Sequence, residues 1–181
     1  ITQRLFTGVN SFSLMCIPFF VLAGDLMNKG GVTKRLLNLA RELVGWIPGG
    51  MAYCCVILAM VLSAILGSAN AVAAILCAIL IAEMAKDGYD PEFTGSVIAA
   101  SSVLGPIIPP SVTFIIYGVL TGVSVSKMFM AGIIPGILLG VGYATVITYY
   151  TKKRGYRKSK DHFDAKACGI AFVKAIPALL V

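Results

Sequence analysis

Two short stretches of this sequence combine oxygen-bearing side chains with glycine or proline, and both lie inside strongly apolar sequence. The first is GSAN at 67–70, and the second is GPIIPPS at 105–111. Proline lacks a backbone N–H and clashes with the preceding helical turn, so the second stretch cannot form a regular helix and leaves carbonyl oxygens without helical partners. Carbonyl, hydroxyl and amide oxygens are the ligands that suit a hard cation such as Na⁺. Both stretches are therefore candidate cation ligands.

A helix that restarts after such a break also favours an anion. Its first N–H groups are unpaired, and the positive end of its dipole attracts a carboxylate. The side chains that could add ligands in and beside the breaks are Ser68, Asn70, Ser102, Ser111 and Thr113. If the two breaks meet in space, we expect them to bind a cation and a carboxylate together. The alternative is a structural kink in which Ser and Thr hydroxyls bond back to helix carbonyls.

Other chemistry has little support among the residue types. The single histidine, His162, falls in a basic loop, so a His-based catalytic triad or an H-E-x-x-H site cannot be built from this chain. The cysteines lie in apolar sequence without C-x-x-C spacing and are interpreted as buried packing residues: Cys16, Cys54, Cys55, Cys77 and Cys168. We expect no enzyme activity and no organic cofactor. A scaffold subunit without its own substrate site and an ion channel remain as alternatives, although a channel would need a more continuous polar lining.

The composition places the breaks in a membrane. Hydrophobic residues make up 58% of the chain and charged residues only 13%, with a mean hydropathy of +0.90, which is too apolar for the charged surface of a water-soluble protein. In hydrocarbon an unpaired backbone N–H or C=O costs several kcal/mol, so non-helical backbone persists only when it is buried in protein or lines a wet cavity. The sequence therefore predicts an all-α, polytopic membrane protein whose breaks have a functional reason.

The elements that must position the breaks follow from apolar runs and their lengths. Each arm around GSAN has about 15 residues, too short to cross alone, which favours a re-entrant hairpin over one kinked helix. In chain order we predict an outer end and first span at 1–28, a cytoplasmic interfacial helix at 29–50, the re-entrant hairpin at 51–86, a discontinuous helix around GPIIPPS at 92–126, a spanning helix at 127–150, a basic cytoplasmic loop at 151–167 and the start of a further span at 168–181.

The distribution of positive charge supports this topology. Twelve of the 15 Lys and Arg residues lie in the segments 29–50, 86–92 and 151–166, which share one compartment only if the hairpin returns to its side of entry. The excess marks that side as cytoplasmic. The run KKRGYRKSK is then an anchor beside the lipid headgroups rather than a nucleic-acid site. Asp25 and Glu83 lie near helix ends, where water or lysine can reach them, so neither is expected to be an ion ligand.

Three stretches resemble the large membrane subunit of tripartite ATP-independent periplasmic (TRAP) transporters. They are QRLFTGVNSFSLMCIPFFVLAGDLMNKGGVTKRL, GSANAVAA, and GPIIPPSVTFIIYGV followed by SVSKMFMAGIIPG. The chain starts without Met and ends inside an apolar run, and we expect it to be part of a longer permease. The resemblance implies most of the first of two inverted repeats in an elevator-type transporter.

The resemblance also implies a function and its residues. It implies Na⁺-driven import of an organic acid, such as a C4-dicarboxylate, sialic acid or another sugar acid, across the bacterial inner membrane. The implied partners are a periplasmic substrate-binding protein, a small four-helix membrane subunit and the lipid bilayer, with no nucleic acid. The implied Na⁺ ligands, largely backbone carbonyls, are Gly67, Ser68, Asn70, Gly105 and Pro109. The implied half of the substrate site consists of Ser68, Ala69, Asn70, Pro110, Ser111 and Thr113.

Overall fold

A computed structural model describes residues 12–156, 168–169 and 171–172 of the chain. In this part of the chain we find seven long α-helices and no β-strand. The helices are α1 (Phe12–Lys29), α2 (Val32–Val44), α3 (Gly50–Leu66), α4 (Ala69–Lys86), α5 (Pro91–Ser102), α6 (Val112–Thr121) and α7 (Val125–Arg154). The expected all-α class is confirmed for the described residues. Most of the predicted basic loop, most of the further span and the outer end before residue 12 lie outside them.

Helix α3 lies at the centre of the fold and contacts α1, α2, α4, α5 and α7. Its sequence is apolar on all sides, as expected for a helix that protein surrounds. Its Met51 and Leu58 pack in one core with Leu76, Leu80 and Met84 of α4, and all five side chains are fully buried or nearly so. The two arms of the predicted hairpin therefore form the structural centre of the molecule.

The turn between α3 and α4 is shorter than the four-residue interruption predicted from GSAN. Gly67 ends α3 in the left-handed conformation (φ 58°), and its N–H donates to the carbonyl of Ser63 at 3.0 Å. Ser68 is extended, and Ala69 and Asn70 already belong to α4. A glycine that takes a positive φ at no steric cost can end a helix within one residue. Two residues are therefore enough to reverse the chain.

The second break is wider, because α5 ends at Ser102, two residues earlier than predicted. The N–H groups of Val103, Leu104 and Gly105 each bond to the carbonyl three residues back, which tightens the last turn out of α-helical geometry. Pro106 then prevents the helix from continuing. The non-helical stretch runs from 103 to 111 and includes a cis peptide bond between Pro109 and Pro110.

Helix α7 is longer than the predicted 127–150. It extends to Arg154, so Lys152, Lys153 and Arg154 form its last turn, where basic side chains favour the negative end of the helix dipole. Both α7 and α4 are long and apolar enough to cross a membrane. The second arm of the predicted hairpin, with 18 residues, is therefore longer than the arm of about 15 residues that the sequence predicted. On α7 the large side chains of Met130 and Leu138 are 71% and 66% exposed. Such an apolar exterior is typical of a membrane protein.

Helix α2 braces the hairpin. Its Leu36, Leu37 and Ala40 are buried against the core, so most of the apolar face contacts protein. Arg41 pairs with Glu83 at 3.2 Å and with Asp87 at 3.7 Å, which ties α2 to the end of α4. The contacts thus hold the helix against the two arms.

Candidate functional site

The two breaks lie in direct backbone contact. The N–H of Val112, at the start of α6, donates to the carbonyl of Gly67 at 3.3 Å. A Cβ atom added to Gly67 would lie 2.6 Å from the carbonyl oxygen of Pro110. On the other side of the junction, a Cβ added to Gly105 would lie 2.7 Å from the backbone nitrogen of Ala69. Glycine is needed at both positions because any side chain would separate the two backbones.

Four helix ends meet at this junction. Helices α3 and α5 end here, and α4 and α6 begin here. The start of α4 brings unpaired N–H groups, and the start of α6 leaves that of Thr113 without an acceptor in the described structure. Both starts carry positive dipole ends, while the ends of α3 and α5 bring carbonyl oxygens and negative dipole ends. The junction therefore offers ligands for an anion and for a cation within one small region.

The hydroxyl of Ser111 serves local structure. The side chain is fully buried; its hydroxyl donates to the carbonyl of Pro106 at 2.7 Å and accepts from the N–H of Phe114 at 3.3 Å. The second bond caps α6. Ser111 thus fixes the path of the break relative to the helix that follows, and one acceptor lone pair remains for a ligand.

Ser68 occupies the equivalent position before α4 but behaves differently. Its backbone is extended, as a capping residue requires, yet no N–H of α4 in the described structure donates to its hydroxyl. The side chain is half-buried. Because α4 starts without a side-chain cap, its first N–H groups and the hydroxyl of Ser68 remain available to a bound ligand.

The carbonyl oxygens of the wider break are candidate cation ligands. From Gly105 to Pro110, only the carbonyl of Pro106 receives a hydrogen bond from a donor in the described part of the chain. In this part of the chain His, Cys, Asp and Glu form no group of three that could hold a metal ion. A cation at the junction would therefore be held by backbone and hydroxyl oxygens, a donor set that fits Na⁺ better than a transition metal.

Not every predicted ligand lies at the junction. The structure brings together Gly67, Ser68, Ala69, Gly105, Pro110 and Ser111. Pro109 adjoins them and is half-buried.

The side chains of Asn70 and Thr113 are exposed, on the first turns of α4 and α6. The hydroxyl of Ser102 bonds back to the carbonyl of Ala99 at 2.8 Å, as the alternative reading of these residues expected.

The two acidic residues near helix ends lie outside the site. Asp25 pairs with Lys29 at 2.8 Å, and Glu83 pairs with Lys86 at 2.8 Å as well as with Arg41. The expectation that lysines at the helix ends reach these carboxylates is confirmed. Neither carboxylate forms part of the junction.

Sequence reasoning missed the contact between α7 and the wider break. A Cβ added to Gly132 would lie 2.6 Å from the carbonyl oxygen of Ile107 and 2.5 Å from the ring of Phe114. A Cβ added to Gly136 would lie 2.7 Å from the side chain of Ile108. The signal was the four-residue spacing of these glycines, which places them on one face of a helix.

A second polar cluster joins α5 to the end of α7, far along the chain from the breaks. Tyr156 donates to the carboxylate of Asp90 at 2.7 Å, and Arg154 donates to the same oxygen. The hydrogen bond from Tyr156, followed by that from Arg154, lowers the pKa of Asp90 below its ordinary value. The rings of Tyr89 and Tyr156 stack with centroids 4.5 Å apart. This cluster holds the start of α5 against the end of α7.

Comparison with known proteins gives the family. A family model described as the DctM component of the tripartite ATP-independent periplasmic transporter matches residues 1–181. The 2,3-diketo-L-gulonate TRAP transporter large permease protein of Escherichia coli (strain K12) is 48% identical over 138 residues, which cover 76% of this chain and 32% of that protein. The sialic acid TRAP transporter large permease protein of Vibrio cholerae is 40% identical over 182 residues, which cover 99% of this chain and 43% of that protein.

A third relative matches along the full chain. The isethionate TRAP transporter permease protein of Oleidesulfovibrio alaskensis is 42% identical over 181 residues, 100% of this chain and 28% of that protein. The chain thus spans less than half the length of each of these relatives. The chain that forms this backbone junction therefore belongs to the DctM family, the large permease component of the tripartite ATP-independent periplasmic transporters.

Proposed function

We propose that this chain forms part of the large permease subunit of a Na⁺-coupled importer of organic acids. The observation that carries the proposal is the backbone contact between the two breaks, Gly67 against Pro110 and Gly105 against Ala69. Two non-helical stretches in apolar surroundings are costly unless their backbone N–H and C=O groups find partners. A cation and a carboxylate bound at the junction would satisfy the backbone groups that the helices leave unpaired.

The cation site uses oxygen ligands at the junction. Carbonyls of Gly67, Gly105 and Pro109 provide most of them, and Ser68 and Asn70 add to the set. Between Gly105 and Pro110, only the carbonyl of Pro106 has a hydrogen-bond donor in the described structure. Na⁺ accepts such hard, neutral ligands.

The acid binds at the starts of α4 and α6. Half of the site consists of the first N–H groups of α4, the N–H of Thr113 on α6, and the residues Ser68, Ala69, Asn70, Pro110, Ser111 and Thr113. The rest of the protein supplies the other half. The relatives are named for 2,3-diketo-L-gulonate, isethionate and sialic acid, which are all anions at neutral pH. An anion of this class suits two helix N-termini.

Binding of the two ligands is coupled through their charge. A cation and a carboxylate held at adjacent breaks attract each other in a site of low dielectric constant, so each raises the affinity for the other by the same factor. This reciprocity is what makes Na⁺ a driving ion: the acid binds well only where Na⁺ is abundant.

The remaining steps involve the rest of the transporter. The re-entrant hairpin α3–α4 and the discontinuous helix α5–α6 move together as the elevator that carries the ligands across the bacterial inner membrane. A periplasmic binding protein delivers the acid, and a small four-helix subunit holds the scaffold. The basic ends of the helices face the cytoplasm.

Uptake of labelled organic acids tests the proposal. The full-length permease, its small subunit and its binding protein are reconstituted in proteoliposomes, and uptake is measured with and without an inward Na⁺ gradient. We expect uptake to require Na⁺ and Ser68→Ala to raise the half-saturating Na⁺ concentration.

Ser96→Ala is the matched control, since Ser96 lies on α5 outside the junction and its hydroxyl bonds to the carbonyl of Glu92. Uptake that is indifferent to Na⁺ would refute the coupling.

A further inference from the structure

Gly132 of α7 lies against the wider break and against the helix that follows it. The carbonyl oxygen of Ile107, inside the break, and the ring of Phe114, in the first turn of α6, both lie within 2.6 Å of the position that a Cβ atom on Gly132 would take. Gly132 is itself buried. The missing side chain therefore lets α7 approach the backbone that carries the ligands.

The segment around Ile107 is held from two directions. On one side, the N–H groups of Ile107 and Ile108 donate to the carbonyl of the fully buried Leu104, at 3.0 and 2.9 Å. On the other side lies α7, where a Cβ atom added to Gly132 would be 2.6 Å from the Ile107 carbonyl oxygen. The position of Ile107 in turn sets where its neighbours, Pro106 and Ile108, can lie, because the peptide units between them are planar.

We propose that Gly132 is a positioning residue for the ion and substrate site: it fixes the Ile107 carbonyl and the start of α6, and through them the oxygen ligands of the break. Gly136 contributes less, since the atoms nearest to an added Cβ there belong to the side chains of Ile108 and Ile107 and not to the backbone. This inference rests on the proposed function, because it concerns the geometry of that site. The atoms nearest to an added Cβ on either glycine belong to Ile107, Ile108 and Phe114.

The size of the displacement indicates a large effect. A carbon atom and a carbonyl oxygen in close contact lie about 3.4 Å apart, so alanine at position 132 would push the Ile107 carbonyl or α7 by roughly 0.8 Å. The Ile107 carbonyl belongs to the backbone and cannot rotate away as a side chain can. Binding sites need their ligands within about 0.5 Å of the productive geometry, so the break would lose affinity for its ligands.

The chain provides a graded series of variants on one helix. Alanine meets a backbone carbonyl at Gly132, a flexible side chain at Gly136, and no atom within 4 Å at Gly142. All three substitutions have the same effect on helix propensity, because each replaces glycine by alanine inside α7. Gly142→Ala is therefore the matched control.

The experiment measures Na⁺-driven uptake in proteoliposomes that contain the full-length permease, its small subunit and its binding protein. Half-saturating Na⁺ and acid concentrations and the maximal rate per folded transporter are recorded for each variant. We expect Gly132→Ala to raise the half-saturating Na⁺ concentration about fivefold or more, Gly136→Ala to raise it less, and Gly142→Ala to match the wild type. A merely structural role would lower the amount of folded protein and leave both half-saturating concentrations unchanged in what remains.

Equal half-saturating concentrations in Gly132→Ala and Gly142→Ala would overturn the inference. If Gly132→Ala does not accumulate in the membrane, Gly136→Ala takes its place, and equality between Gly136→Ala and Gly142→Ala then overturns it. If the wild type takes up acid without Na⁺, the coupling in the proposed function fails. The inference then depends on the half-saturating acid concentration alone, compared between the same variants.

Discussion

Ser68 and Ser111 occupy the same position before their helices, yet the structure uses only one of them as a cap. The hydroxyl of Ser111 accepts from the N–H of Phe114, whereas no N–H of α4 in the described structure reaches the hydroxyl of Ser68. A side chain that caps its helix stabilises the protein in the absence of ligand. Where the cap is missing, the first N–H groups of the helix can donate to a ligand instead. The two serines should therefore respond to substitution in different ways.

Ser111→Ala should lower the free energy of unfolding by about 1 kcal/mol, because it removes the cap of α6 and the bond to Pro106. Ser68→Ala should change it little in the absence of ligand. Thermal unfolding of the purified full-length protein in detergent, without Na⁺ or acid, measures both. Equal losses for the two variants would contradict the assignment of Ser111 to structure and Ser68 to binding.

Asp90 should make stability dependent on pH in the acid range. Its pKa is lowered, first by the hydrogen bond from Tyr156 and then by Arg154, so the folded protein favours the ionised carboxylate. Stability from this group is present above the pKa of the unfolded chain, near 3.8, and is lost as pH falls through the lower folded value. Thermal unfolding should show Asp90→Asn less stable than wild type at neutral pH, with the difference shrinking below about pH 4.

Glu92→Gln is the control for Asp90→Asn, because it removes an exposed carboxylate two residues further along the same segment. A stability difference between Asp90→Asn and wild type that stays constant from neutral pH to pH 3 would show that the carboxylate charge of Asp90 does not stabilise the contact between α5 and α7.

At the scale of the elements, α7 is held to the rest of the fold at three levels. Near its start Gly132 contacts the wider break, in its middle Gly140 contacts Met60 of α3, and near its end Thr151 packs against Gly49. Tyr53 and Thr148 add a hydrogen bond of 2.6 Å. The helix therefore connects the wider break with the opposite end of the hairpin.

Gly49→Ala should disrupt the packing of α7 on the start of α3. A Cβ atom there would overlap the hydroxyl oxygen of Thr151, and Gly49 also has a positive φ of 82°. Gly88 has nearly the same φ, 81°, with no atom within 4 Å of an added Cβ. Gly88→Ala should cost about 1–2 kcal/mol from backbone strain alone, and Gly49→Ala about 1–3 kcal/mol more from crowding.

Thermal or denaturant unfolding of the two purified variants separates these two costs, since they share the backbone strain and differ in the crowding. If Gly49→Ala and Gly88→Ala were equally destabilised, the contact between Gly49 and Thr151 would not be a tight one.

At the scale of the whole molecule, the basic helix ends lie on one side. Arg41 pairs with Glu83 and Asp87, and Asp90 binds Arg154 and Tyr156. These contacts place the end of α2, the end of α4, the start of α5 and the end of α7 together. The turn between α6 and α7 lies at the opposite end of α7, some 30 residues away. The described parts of the segments that carry most of the Lys and Arg residues thus lie at the same end of the helices.

Cysteine labelling in cells should distinguish the two sides. In a background without native cysteines, Lys34→Cys and Lys153→Cys should react with a membrane-impermeant thiol reagent only after permeabilisation. Lys127→Cys, on the exposed start of α7, should react in intact cells whose outer membrane is permeable to the reagent. All three lysines are exposed, so reactivity reports sidedness. Reaction of Lys34→Cys and Lys127→Cys from the same side would refute the topology with a re-entrant hairpin.

The sequence by itself determined the class of the molecule and the location of its irregular backbone. Apolar composition predicted helices in a membrane, because only a helix satisfies its own backbone bonds in hydrocarbon. The glycine of GSAN and the prolines of GPIIPPS marked the breaks, because these residues change the backbone wherever they occur. Motifs of this kind also carried the resemblance to the family, which the comparison confirmed.

Only the tertiary structure decided which groups at the breaks meet. Contact between Gly67 and Pro110 joins residues 43 positions apart, and no local pattern encodes such a pairing. The same is true of the capping role of Ser111, which depends on the path of the chain from Pro106, and of Gly132, whose role depends on how α7 packs. Local residue types set where the helices break, but the packing of four helix ends against one another and against α7 determines which backbone groups stay free for a ligand.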